Sequence, residues 1–109
     1  MKKNADYKVS VGNVFRDLDV PSADEALTKA ELAARIAEII ASRKLTQASA
    51  GKILGVDQPK ISALLRGRLS GFSTDRLLKF ITSLGQDVDI VIRAKRSTKG
   101  RGRLHVLAA

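Results

Sequence analysis

Apolar residues recur at helical spacing in four stretches of this chain and alternate in a fifth. In the first stretch Leu32, Ile36, Ile39 and Ile40, joined by Ala33 and Ala37, fall on one side of a helix. The spacing predicts that this helix opens at Pro21 and Ser22 and runs to about Arg43. Ser22 with Glu25 three residues on reads as a capping box, each side chain satisfying an orphan amide of the other. Glu31 and Arg35 stand four apart on the wet side. The second stretch starts at Thr46, an N-cap residue, and stops at Gly55. The third starts with Asp57 as cap and tolerates Pro59 because it falls in the first turn; Gly67 closes it. In the fourth, Ser73 is the cap and Phe72 before it can staple onto Leu77. Leu77, Leu78, Ile81 and Leu84 make the buried stripe, and Gly85 is the stop.

Residues 87–93 then alternate partly and are rich in β-branched side chains, which predicts one strand. The expected fold is mainly all-α: a compact four-helix domain with one C-terminal β-strand. A lone strand leaves amides and carbonyls unpaired on both edges. Its partner is either the N-terminal arm or the same strand of a second subunit, which makes Val88, Ile90, Val91 and Ile92 the candidate dimer residues. The chain thus divides into an N-terminal arm over 1–21, a helical domain with its strand over 22–93, and a basic flexible tail over 94–109. Val14, Phe15 and Leu18 are the expected anchors of the arm. Residues 104–107 are a short apolar end with no clear assignment.

Composition changes this picture only in places. The 109 residues suffice for one domain. The four aromatics, Tyr7, Phe15, Phe72 and Phe80, leave an aliphatic core. There is no cysteine, so disulfides and thiolate metal sites are excluded. The basic start lacks an apolar stretch behind it, and no run approaches a membrane span, so a cytoplasmic protein is expected. The net charge of +9 suggests a polyanionic partner. Its distribution tempers that: residues 1–45 carry 8 basic and 7 acidic side chains, residues 46–92 carry 6 and 4, and residues 93–109 carry 6 and none. Most of the excess lies on the tail, so the isoelectric point is a poor argument for DNA binding by the folded part.

The better argument lies in residues 46–67. Two short helices crossing steeply through a tight turn need particular residues at particular places. Gly51 is free of a side chain where the second helix must pass close to the first. Gly55 can take the left-handed turn conformation, and Val56 fills the corner beneath it. Ile61 and Leu64 face inward, opposite Ala50 and Leu54. Gln58, Pro59, Lys60, Ser62 and Ala63 are left outward as a reading surface. Gln can bond adenine in two places, Ser can bond several base edges, and Ala or the Pro59 ring can touch a thymine methyl. Thr46, Gln47, Arg43, Lys44, Arg66 and Arg68 are the candidate phosphate contacts, Gln47 with the aid of the helix N-terminal amides.

This pattern resembles the XRE/Cro-repressor family of helix-turn-helix proteins, in its Thr46-Gln47, Ala50-Gly51, Leu54-Gly55-Val56, Ile61-Ser62 and Arg66-Gly67. Residues 13–18, 29–32, 71–73 and 84–88 are similar to the branch of small regulators known as HigA-type antitoxins, so the resemblance covers about residues 13–93. Asp19-Val20 departs from the Asp-Leu-Gly of that branch in one local turn. The resemblance implies a lambda-repressor-like fold, a homodimer on double-stranded DNA and repression of transcription. It also implies a ribonuclease toxin of the RelE/HigB type as partner, and with it an alternative in which toxin neutralisation is the main role.

Catalysis has little support. His105 stands alone near the end, no glycine-rich phosphate loop joins a strand to a helix, and the acidic residues 24, 25, 31 and 38 fall on wet helix positions. No enzyme activity, cofactor, metal, membrane or small-molecule substrate is expected.

Overall fold

A computed structural model of the protein describes residues 22–94, 100 and 102–108. The arm of residues 1–21, and with it the capping box built on the Ser22 side chain, lies outside the described residues, as do the tail arginines Arg96 and Arg101. Among the described residues four helices follow one another: α1 (Ser22–Ser42), α2 (Gln47–Leu54), α3 (Gln58–Leu65) and α4 (Thr74–Ser83). No helix among the described residues is long and apolar enough to cross a membrane.

The helix starts follow the expected chemistry. Thr46 caps α2 by accepting the amide of Ser49, Asp57 caps α3 through Lys60, and Ser73 caps α4 through Arg76. Each of these hydroxyl or carboxylate oxygens satisfies a first-turn N–H that no helical carbonyl can reach. Three of the four helix ends are turned by a left-handed glycine, Gly55, Gly67 or Gly85. The end of α1 uses the same device without glycine. Lys44 has φ +55°, its amide bonds Ala41 O at 3.0 Å, and Leu45 N–H reaches back to Ile40 O at 3.0 Å. Leu45 then packs against the core, which completes a Schellman motif.

α1 and α4 pack most extensively against each other, and α2 and α3 cross beside them. The core holds Leu32, Ala33, Ile36, Ile39 and Ile40 of α1, Ala50 of α2, Ile61 and Leu64 of α3, then Phe72, Leu77, Phe80, Ile81 and Leu84. Phe80 takes the place expected for Leu78, which is only half-buried. Arg43 braces the two main helices: its Nη1 donates to Leu84 O at 3.0 Å, at the C-terminal cap of α4.

Two expectations need correction. Arg35 pairs with Glu38, not Glu31. The Glu31 carboxylate instead accepts the amide of Val106 at 3.3 Å, and Val106, half-buried, packs on the core. Part of the apolar end that the sequence left unassigned is therefore seated on α1. Likewise, the strand expected at residues 87–93 is not formed in the single chain. Val88 packs against the core, whereas Ile90, Val91 and Ile92 are 65, 69 and 88% exposed. A strand is defined by its ladder, and these residues find no neighbouring strand among the described residues.

Candidate nucleic-acid interface

α2 and α3 are held at a fixed crossing by the turn between them. Gly55 (φ +72°) reverses the chain, and the Val56 amide bonds Gly51 O at 3.0 Å. Gly51 is buried against that turn: a Cβ placed on it would stand 2.6 Å from the carbonyl oxygen of Val56 and 3.6 Å from Ile61 Cγ1. The close approach expected at Gly51 is real, but the nearest obstacle is the turn's own backbone. Ile61 and Leu64 fix the inward side of α3, both essentially without solvent contact.

At 100° per residue, this inward side sets the rest of α3. Pro59, Ser62, Ala63 and Arg66 occupy the front, with Gln58 and Lys60 on opposite flanks. Pro59 and Arg66 are exposed, and Ser62 and Ala63 are half-buried. Gln58 turns toward α2, where its Nε2 lies 3.5 Å from Oε1 of Gln47. The two amides sit at the first residues of their helices, so the exposed lip of the motif carries two glutamines and two helix N-termini. Such a lip presents donors and acceptors together with the positive ends of two helix dipoles.

The other polar positions are placed variously. Lys44, Arg66 and Arg68 are exposed. Thr46 is occupied as a cap and also bonds Ser49 Oγ at 2.8 Å. Arg43 spends a guanidinium nitrogen on α4, which gives it a bracing role. Lys60 turns toward α4, with its ammonium 5.4 Å from the centroid of the Phe72 ring. Arg76, which the sequence reading did not single out, brings its guanidinium carbon within 5.5 Å of the same ring and 5.4 Å of the Phe80 ring. Its only sequence signal was a position one turn into a helix capped by Ser73. Nothing local linked it to Lys60, sixteen residues earlier.

A family model described as a helix-turn-helix domain matches residues 14–93. A solved structure named as an XRE family transcriptional regulator is 44% identical to this chain. That match covers 82% of this chain and all of the other, with a TM-score of 0.77. The chain belongs to the XRE-type helix-turn-helix family. No curated protein matches it. The XRE likeness extends over α1 and α4 as well as the motif, so the bracing between those helices falls within the matched region.

Proposed function

We propose that this chain is a sequence-specific DNA-binding transcriptional regulator that lays α3 in the major groove. The observation that carries the reading is the lip shared by half-buried Gln47 and exposed Gln58, at the starts of two helices whose crossing is locked by Gly51 and Gly55. Pro59, Ser62 and Ala63 join Gln58 as base-reading positions; Thr46, Gln47, Lys44, Arg66 and Arg68 serve phosphates. The regulator acts as a homodimer on a pseudo-palindromic operator, with half-sites about 34 Å apart. The exposed run Ile90, Val91 and Ile92 supports pairing of this segment with its copy, beside Val88. Pairing would satisfy the open backbone and cover apolar side chains in one step. By occluding its own promoter the dimer represses it. The resemblance of residues 13–18 and 84–88 to HigA-type sequences favours a second role as the antitoxin of a RelE/HigB-type ribonuclease. In that case toxin neutralisation can outweigh the DNA contact.

The test is a mobility shift on DNA upstream of the chain's own gene, with the wild type beside Gln58→Ala/Lys60→Ala. Salt-sensitive binding that the double variant loses supports the regulator; about three phosphates per half-site give a slope of log affinity on log salt near −5. A wild type with no preference for any upstream duplex would sink it and leave the neutralising role. Sedimentation at micromolar concentration reads the dimer: Ile90→Lys/Ile92→Lys should convert a dimer to a monomer, and a wild type that is already monomeric on and off DNA removes the dimer.

A further inference from the structure

The two flanks of α3 are chemically unlike. Gln58 and Lys60 are two residues apart, which places them about 200° apart round the helix. Gln58 meets Gln47 on the α2 side. Lys60 reaches the α4 side and sets its ammonium over Phe72, a ring 3% exposed, itself packed edge-on against Phe80 with centroids 6.0 Å apart. Arg76 stands over both rings. A Cβ built on Gly71 would meet Lys60 Nζ at 3.6 Å, so the ammonium rests above the loop that joins α3 to α4. Two cations thus converge on one aromatic ring. Among the described residues the ion pairs are Arg35 with Glu38 and Lys79 with Asp75, and neither engages Lys60 or Arg76.

We propose that Lys60 and Arg76 form one anion-binding pair, oriented by the Phe72 ring, that engages a DNA phosphate at the edge of the half-site and reads no base. The proposal rests on the regulator reading and deepens it. Both charges lie within 5.5 Å of one ring centroid; like charges gathered round one ring repel, and its face offsets this only in part by attracting each of them. A phosphate whose oxygens both side chains can reach relieves that repulsion with charge-assisted hydrogen bonds. A flexible lysine stem is the usual liability of such a contact, because binding must freeze it. The place of the ammonium over the Phe72 ring, beside Gly71, restricts that stem beforehand. Phe72 is then a positioning residue, and of the two flanks of this helix it is Gln58, not Lys60, that discriminates bases.

A phosphate contact and a base contact differ in a measurable way. The first weakens binding uniformly across sequences and lowers the salt slope by about one; the second changes the ratio of operator to random-duplex affinity. Fluorescence anisotropy with both duplexes at several salt concentrations separates them. Lys60→Met and Arg76→Met should each lower both affinities by the same factor, roughly three- to tenfold, and reduce the slope by about one. Lys60→Arg should retain binding. Phe72→Leu, checked for folding by its melting curve, should lower affinity two- to fivefold through Lys60, so the loss should shrink when Met already stands at position 60. A Lys60→Met variant whose operator preference falls tenfold while its random-duplex affinity holds would overturn the pair, as would Met variants that bind as tightly as the wild type. A wild type that binds neither duplex fails at the earlier step, the regulator reading itself.

Discussion

Gln58 Nε2 lies 3.5 Å from Gln47 Oε1, across the turn of the helix-turn-helix. The two glutamines are eleven residues apart in sequence, yet each begins a helix, and the crossing of those helices brings them together. A contact of this length is loose, and shortening it on a DNA surface would fix the Gln58 amide in one orientation. Gln47 is half-buried and Gln58 exposed, so Gln47 is the fixed member and Gln58 the one that can reach outward.

The pair predicts unequal losses on one base position. Gln58→Ala should relax preference at a single base pair of the half-site by about 1–3 kcal/mol. Gln47→Ala should relax the same position by less, about 0.5–1.5 kcal/mol, through the lost orienting bond. Anisotropy titrations over single-base operator variants check this. Losses at different base pairs would show that the two side chains act independently.

Gly51→Ala should destabilise the domain by about 1–3 kcal/mol, because its Cβ meets a backbone carbonyl at 2.6 Å that cannot rotate aside. The melting temperature should fall by several degrees or more. The variant that does fold should also bind DNA less well, since relief of the clash requires the turn to open and α3 to shift. A melt matching the wild type would mean the turn has slack at Val56.

Lys44→Gly should stabilise the domain by about 0.5–1 kcal/mol. The left-handed φ of +55° costs a side-chain-bearing residue energy that glycine does not incur, and the gain exceeds glycine's larger unfolded-state freedom. Lys44→Ala keeps the strain and should not show the gain. Chemical denaturation of the two variants side by side decides it, and equal midpoints would remove the strain argument.

Thr74→Val should leave stability unchanged or raise it by about 1 kcal/mol. Thr74 is 1% exposed, and its Oγ1 meets no hydrogen-bond partner among the described residues. Valine has nearly the same shape without the stranded hydroxyl. A loss of 2 kcal/mol in the thermal melt would mean that the hydroxyl is satisfied in solution.

Much of this architecture was legible because its signals are local. Thr46, Asp57 and Ser73 cap amides three residues away, and Gly55, Gly67 and Gly85 turn the chain where they stand. The inward stripes of α1 and α3 follow from helical periodicity alone, and the stripe of α4 did so except that Phe80 displaced Leu78. The outward side of α3 follows in the same way, since fixing Ile61 and Leu64 inside leaves the front of the helix outside. Residues 87–93 mark the boundary of this approach. Their β-branched alternation was correctly seen, but a strand needs hydrogen bonds from elsewhere, and local pattern supplies none.

By itself, then, the amino-acid sequence determined the helices α1 to α4, the caps and glycine turns of α2, α3 and α4, and most of each inward side, because each of those choices is settled within one or two turns of chain. Only the tertiary structure decided the rest. It sent Arg43 to the end of α4, turned Glu31 from Arg35 to Val106, and drew Lys60 and Arg76 onto Phe72. These partners lie between 4 and 75 residues apart, and long charged side chains have many neighbours of similar energy within reach. Which neighbour wins depends on where packing of the buried aliphatic residues sets the helices, and that is a property of the whole core.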